Sequence, residues 1–244
     1  MEWSDDGIVL GARPFGESGA IAELFTREHG RAAGMVHGGI SRRTRPVLQA
    51  GNLVRTTWKA RTGEQLGFFA PLEVTEAHAA RLMENAEALA GIGSAVALLR
   101  LGAIERQPYP RLYDAFALLL ESMGEDEVWP ALYARFELGL LAELGYGLDL
   151  SACAVTGAET DLAYVSPRSG RAASREAGEP FADKLLALPA FLTDPAAPVE
   201  SGDVANALAL AGFFLERRLF DPQGQGMPEA RVRLIHRLGF AGRL

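Results

Sequence analysis

The sequence predicts an α+β protein, with an N-terminal barrel of five short β-strands followed by an α-helical domain. Three observations lead there. Up to Thr75 the chain reads as short apolar or alternating runs separated by glycine-containing turns. Beyond Thr75 the apolar residues recur at helical spacing. The charge divides near the same place. Residues 1–80 hold nine cations and nine acids, whereas residues 81–244 hold fifteen cations and twenty-two acids, which leaves the whole chain at −7. Such asymmetry suggests two domains with different partners, one over 1–78 and one over 79–244.

Each strand has its own signal. Gly7–Ala12 is a short apolar run that opens out at Arg13-Pro14, and Ala20–Thr26 partly alternates. Glu28-His29-Gly30 is a turn, with Gly30 suited to positive φ. Arg31–His37 is the third strand, and the polar run Ile40–Pro46 after Gly38-Gly39 is a loop. Leu53–Ala60 alternates Val54, Thr56, Trp58 and Ala60 against Arg55, Thr57 and Lys59. Arg61–Glu64 is a turn, and Leu66–Val74 is a fifth strand bulged near Pro71. Five strands in so short a span fit the five-stranded OB-fold barrel, with an SH3-like barrel as the alternative.

Thr75-Glu76 then caps a helical turn over Ala79–Met83. Helices follow over Asn85–Ile104, Arg111–Met123 and Val128–Leu144, the last with Pro130 in its first turn and Gly145 and Gly147 stopping it. Gly124–Glu127 reads as an acidic loop and residues 148–180 as irregular. Phe181–Leu192, Gly202–Phe220 and Pro228–Leu238 read as three more helices, with Ser201 and Asp203 as candidate caps of the second.

Function is concentrated in His29–Gly63. This stretch has no Asp or Glu and carries seven cations: Arg31, Arg42, Arg43, Arg45, Arg55, Lys59 and Arg61. A local cationic patch in an acidic chain points to a polyanion, and here to DNA. The competing reading is a solvated strand face paired with acids elsewhere, such as Glu17, Glu23 or Glu73. The loop Gly38–Leu48 lacks apolar anchors in sequence and is expected to be mobile until phosphate orders it. Trp58 offers a stacking face for a base, but it shares its face with Val54 and Thr56, so core packing is favoured. In the helical half, Arg135 among Leu132, Phe136 and Leu140 is a candidate partner-binding cation beside an apolar groove.

Other chemistry finds little support. There is no GxxxxGK[ST], no dinucleotide fingerprint at Gly145/Gly147 and no nucleophile elbow. Glu125-Asp126-Glu127 reads as a solvated loop. No apolar run approaches the roughly 18 residues of a membrane span. The N-terminus has acids where a signal peptide needs cations, and the single Cys153 fits a reducing compartment, so the expected location is cytoplasmic. Neither a cofactor nor a metal is expected, because Cys153 has no nearby Cys or His to complete a zinc site.

With these residues in view, the chain resembles the RecO family of bacterial recombination mediators. Gly16-Glu17-Ser18, Phe25-Thr26 and Gly30 stand where the family's opening has them, residues 136–157 (FELGLLAELGYGLDLSACAVTG) look like its most recognisable helical segment, and YVSPRSGRA over 164–172 follows. The resemblance implies an OB-fold and a helical domain. It also implies binding to single- and double-stranded DNA, annealing of complementary strands, and action with RecR. Contact with the single-stranded-DNA-binding protein and help in loading RecA are implied as well, and no enzymatic turnover. Many relatives carry a four-Cys zinc site, but here Cys153 matches its first ligand while Thr156, Ser174 and Ala177 stand at the other three. The segment is therefore expected to hold without zinc. Two other readings remain: an RNA-binding OB-fold protein and a protein-interaction scaffold.

Overall fold

A computed structural model describes residues 1–62, 65–124 and 128–244. Gly63 and Glu64 of the turn expected over Arg61–Glu64, and the acids Glu125, Asp126 and Glu127, lie outside the described residues. The chain forms two compact units, Met1–Gly124 and Glu125–Leu244. The division expected after residue 78 thus falls inside the first unit, where three helices accompany the barrel.

In the first unit, β1 (Glu2–Phe15), β2 (Gly19–Thr26), β3 (Gly30–Val36), β4 (Leu53–Lys59) and β5 (Gly67–Glu76) close in the order β1-β2-β3-β5-β4. β3 runs parallel to β5 and every other pairing is antiparallel. This non-sequential closure is the OB-fold arrangement, not a simple meander. β1 begins earlier than its apolar run and continues past Pro14. Its first half pairs with β4 and its second half with β2, with a register shift between Val9 and Gly11. The polar start of β1 is held by cross-strand partners of opposite charge, Glu2 opposite Lys59 and Asp6 opposite Arg55.

Alternation puts Val9, Ala20, Ala22, Leu24, Val54, Trp58 and Phe69 into one core. The parallel seam pairs Gly34 with Gly67. A Cβ on Gly67 would stand 2.3 Å from the Trp58 ring, and one on Gly34 2.8 Å from Phe69. Only glycine lets these two strands close over the rings.

The loop after β3 carries hydrogen bonds of its own and an apolar anchor. Arg45 N–H donates to the Ser41 carbonyl, and Leu48 N–H to that of Thr44. Leu48 is buried in the barrel core, with Val47 packed beside it. The buried Asn52 amide donates to the Pro46 and Val47 carbonyls, while its oxygen accepts from Ala79 N–H. The apolar anchor missed in sequence is thus Leu48, at the loop's very end.

Helix α1 is a single turn, His78–Arg81. α2 (Ala86–Gly102) is capped by the Asn85 side chain, which accepts from Glu87 and Ala88 N–H. α3 (Pro110–Ser122) starts on Pro110.

In the second unit, α4 (Trp129–Glu143) precedes a three-stranded sheet of β6 (Leu162–Val165), β7 (Ala172–Ser174) and β8 (Leu186–Ala187), in the order β7-β6-β8. The irregular reading of 148–180 missed β6, β7 and the short α5 (Arg175–Gly178). The helix expected over Phe181–Leu192 is also absent. Instead, 3-10 turns over Glu179–Lys184 and Ala190–Leu192 flank β8. Pro189 removes the N–H that a continuous helix needs, and β8 instead pairs Leu186 and Ala187 with Val165 and Tyr164. α6 (Asp203–Phe214) continues as a π-helical segment, Leu215–Phe220, and α7 (Glu229–Phe240) closes the chain. Arg231 of α7 donates to both Glu137 oxygens on α4, at 2.6 and 2.8 Å, and to the Leu208 carbonyl on α6. The pair is buried, so one bidentate contact ties three helices.

Candidate nucleic-acid interface

The seven cations of the acid-free stretch separate into two groups. On β4, Lys59 Nζ lies 2.8 Å from Glu2 and Arg55 3.7 Å from Asp6, and Arg55 also has Glu73 of β5 opposite it. On β3, Arg31 lies 2.6 Å from Glu23, which also binds Arg100 at 2.7 Å, and Arg31 Nε donates to the Ala103 carbonyl. For these three, strand pairing supplies the acids that the local sequence lacks.

Arg42, Arg43, Arg45 and Arg61 differ. All four are exposed, and among the described residues none has an ion pair or a side-chain hydrogen bond. Arg13, on β1, joins them. Sequence reading missed Arg13 because an isolated cation between Ala12 and Pro14 carries no pattern. Guanidinium groups without an internal partner need no contact broken before they meet a phosphate.

Two clefts flank the loop. One, of about 460 Å³, is lined by Arg13, Arg45, Ile40 and Leu48, among others. The other, of about 860 Å³, lies between the loop and α1–α2, with Arg42, Arg45 and Arg100 around Met83, Leu89 and Val96. Neither lining contains Asp or Glu among the described residues. Trp58, in contrast, is only 3% exposed, and its Nε1 donates to the Ala33 carbonyl. It is a core residue and offers no free stacking face.

The family model for the N-terminal domain of recombination protein O matches residues 1–78, and that for its C-terminal domain matches residues 83–225. The chain belongs to the RecO family. Curated relatives agree over almost the whole length. The DNA repair protein RecO of Methylobacterium nodulans is 52% identical over 240 residues, 96% of this chain and 97% of its own. That of Phenylobacterium zucineum is 50% identical over 244 residues, covering both chains completely. That of Hyphomonas neptunium is 49% identical over 239 residues, 98% of each chain. This is therefore a RecO-family DNA repair protein, and no helix among the described residues is long and apolar enough to cross a membrane.

The knuckle of this RecO chain brings together the four positions singled out in sequence. Thr156 N–H and Ser174 Oγ both reach Cys153 Sγ at 3.5 Å, and Ala177 N–H donates to Ser174 Oγ at 3.4 Å. Hydrogen bonds from Thr156 and then Ser174 hold the thiol down, to about 6. One sulfur, two hydroxyls and a methyl do not make a zinc ligand set. The turn is instead fixed by backbone bonds, Cys153 N–H to the Ala158 carbonyl at 2.7 Å and Ala154 N–H to that of Ala172 at 2.8 Å.

Arg135 already has a partner within its unit. It donates to the Phe191 carbonyl and lies over the Phe191 ring at 5.8 Å. Arg218 is similarly engaged, with the Tyr146, Gly147 and Ser169 carbonyls. Arg135 and Arg218 thus both donate to backbone carbonyls of their own unit.

Proposed function

We propose that this RecO-family protein binds single- and double-stranded DNA through the loop Gly38–Leu48 and the adjoining barrel surface, and anneals complementary strands. The observation that carries the reading is the set of exposed guanidinium groups at Arg13, Arg42, Arg43, Arg45 and Arg61, unpaired among the described residues, of which Arg13, Arg42 and Arg45 line clefts with no acid among those residues. The mechanism is electrostatic. Arginines neutralise phosphates on strands that otherwise repel each other, and counterions are released. Contacts of this type position the backbone and read little sequence.

The family supports a wider role as a recombination mediator that acts with RecR and helps RecA load on DNA covered by the single-stranded-DNA-binding protein. The reading places this action in the cytoplasm and assigns no catalytic step. A strand-annealing assay across a salt series, with and without the single-stranded-DNA-binding protein, tests it. Annealing that falls steeply with salt is expected. Absence of DNA binding at low salt would favour a protein-interaction scaffold, and preference for RNA over matched DNA would favour an RNA-binding module.

A further inference from the structure

Arg45 and Gln49 line both clefts, so the loop is a wall between them. Each side pairs a cation of its own with apolar surface. Arg13 stands on one side with Ile40, which is 43% exposed. Arg42 stands on the other with Met83 and Leu89, which are 68% and 42% exposed. Cations beside an apolar floor suit a single strand, whose phosphates and unstacked bases are both available. A duplex keeps its bases stacked inside and can use only the cations.

We propose that the loop is a partition with a single-strand site on each flank, so that one chain holds two DNA strands with Arg45 between them. The inference rests on the DNA-binding reading above and adds a stoichiometry and a division of labour. Arg13 serves the smaller cleft and Arg42 the larger. Arg45 faces both strands where they come closest, and there it offsets the repulsion that opposes pairing. The larger cleft by itself would also suit an acidic peptide with apolar side chains. A strand is favoured because the same unpaired arginine chemistry continues across Arg45 into the smaller cleft.

Two variants separate the sites in the full-length protein. Arg13→Ala removes the cation belonging only to the smaller cleft. Gly93→Phe fills the larger one without changing charge: Gly93 lines that cleft, and a Cβ there meets nothing within 4 Å. Native mass spectrometry and fluorescence titration with a short oligothymidylate at low salt give strands per chain, and stopped-flow annealing gives the rate. Wild type is expected to bind two strands per chain and each variant one. Annealing should slow about tenfold in each variant, while first-strand affinity changes by less than about threefold, because each variant leaves the site on the other flank intact. Wild-type protein that binds a single strand per chain overturns the partition and leaves the DNA-binding reading intact. Loss of all DNA binding would sink both. One strand per chain together with an acidic peptide that binds wild type but not Gly93→Phe would assign the larger cleft to a protein partner.

Discussion

The strand β4 and the loop before it come from one acid-free run, yet the fold treats their cations oppositely. Arg55 and Lys59 lie on a sheet whose neighbouring strands present Asp6, Glu2 and Glu73. Arg42, Arg43 and Arg45 leave the sheet and have no ion pair among the described residues. The lesson is that charge patterning along a chain predicts a binding surface only where the chain stays local. In a strand, the electrostatic neighbours are set by register, from residues far away in sequence.

The partnered extreme of this comparison is Arg231. Glu137→Ala would leave its guanidinium buried without a counter-charge, and denaturant unfolding should show a loss of about 3–5 kcal/mol. A loss below about 1 kcal/mol would mean that water reaches the pair. At the unpartnered extreme, replacing Arg42, Arg43 and Arg45 together by Ala should lower the slope of log affinity against log salt by about 2–3 units with little change in stability. The same measurement on Arg55→Ala/Lys59→Ala should show a clearly smaller fall, and an equal fall would erase the distinction drawn here. The distinction can also be reversed. Glu2→Gln/Asp6→Asn frees the β4 cations and should steepen the slope by about 1–2 units, while exposed pairs of this kind cost at most about 1 kcal/mol to remove.

The smallest effect concerns His78. Burial first, and then the nearby Arg81 guanidinium, push its pKa below the ordinary 6.5. A depressed imidazole resists protonation in the folded state while the unfolded chain takes the proton. Its stabilising contribution is therefore complete above about pH 6.5 and is lost as the pH falls below that value. His78→Gln should flatten the melting temperature against pH over that window, and an unchanged profile would place the acid sensitivity elsewhere.

The five barrel strands were legible because alternation and glycine turns are local signals. The start of the barrel's first strand was not, because Glu2-Trp3-Ser4-Asp5-Asp6 has no apolar period of its own and is held by β4, far away in sequence. The small sheet of the second unit was invisible for a related reason. Segments as short as Leu186–Ala187 have no period of their own and exist because Tyr164 and Val165 offer them a ladder. The knuckle was legible at Cys153, Thr156, Ser174 and Ala177, since the missing sulfurs are a fact of composition. For the candidate interface, the loop arginines could be read directly. Sorting them from Arg31, Arg55 and Lys59 required the register, and Arg13 gave no signal at all.

The Asn52 carboxamide carries one last implication. Its nitrogen holds Pro46 and Val47 and its oxygen holds Ala79, residues on or beside the two banks of the larger cleft. One planar group a few ångströms long thus acts as a spacer bar that sets the gap. The cleft is a slot of fixed gauge: whatever enters must match its width, because widening it means snapping hydrogen bonds in a buried place where no water can replace them.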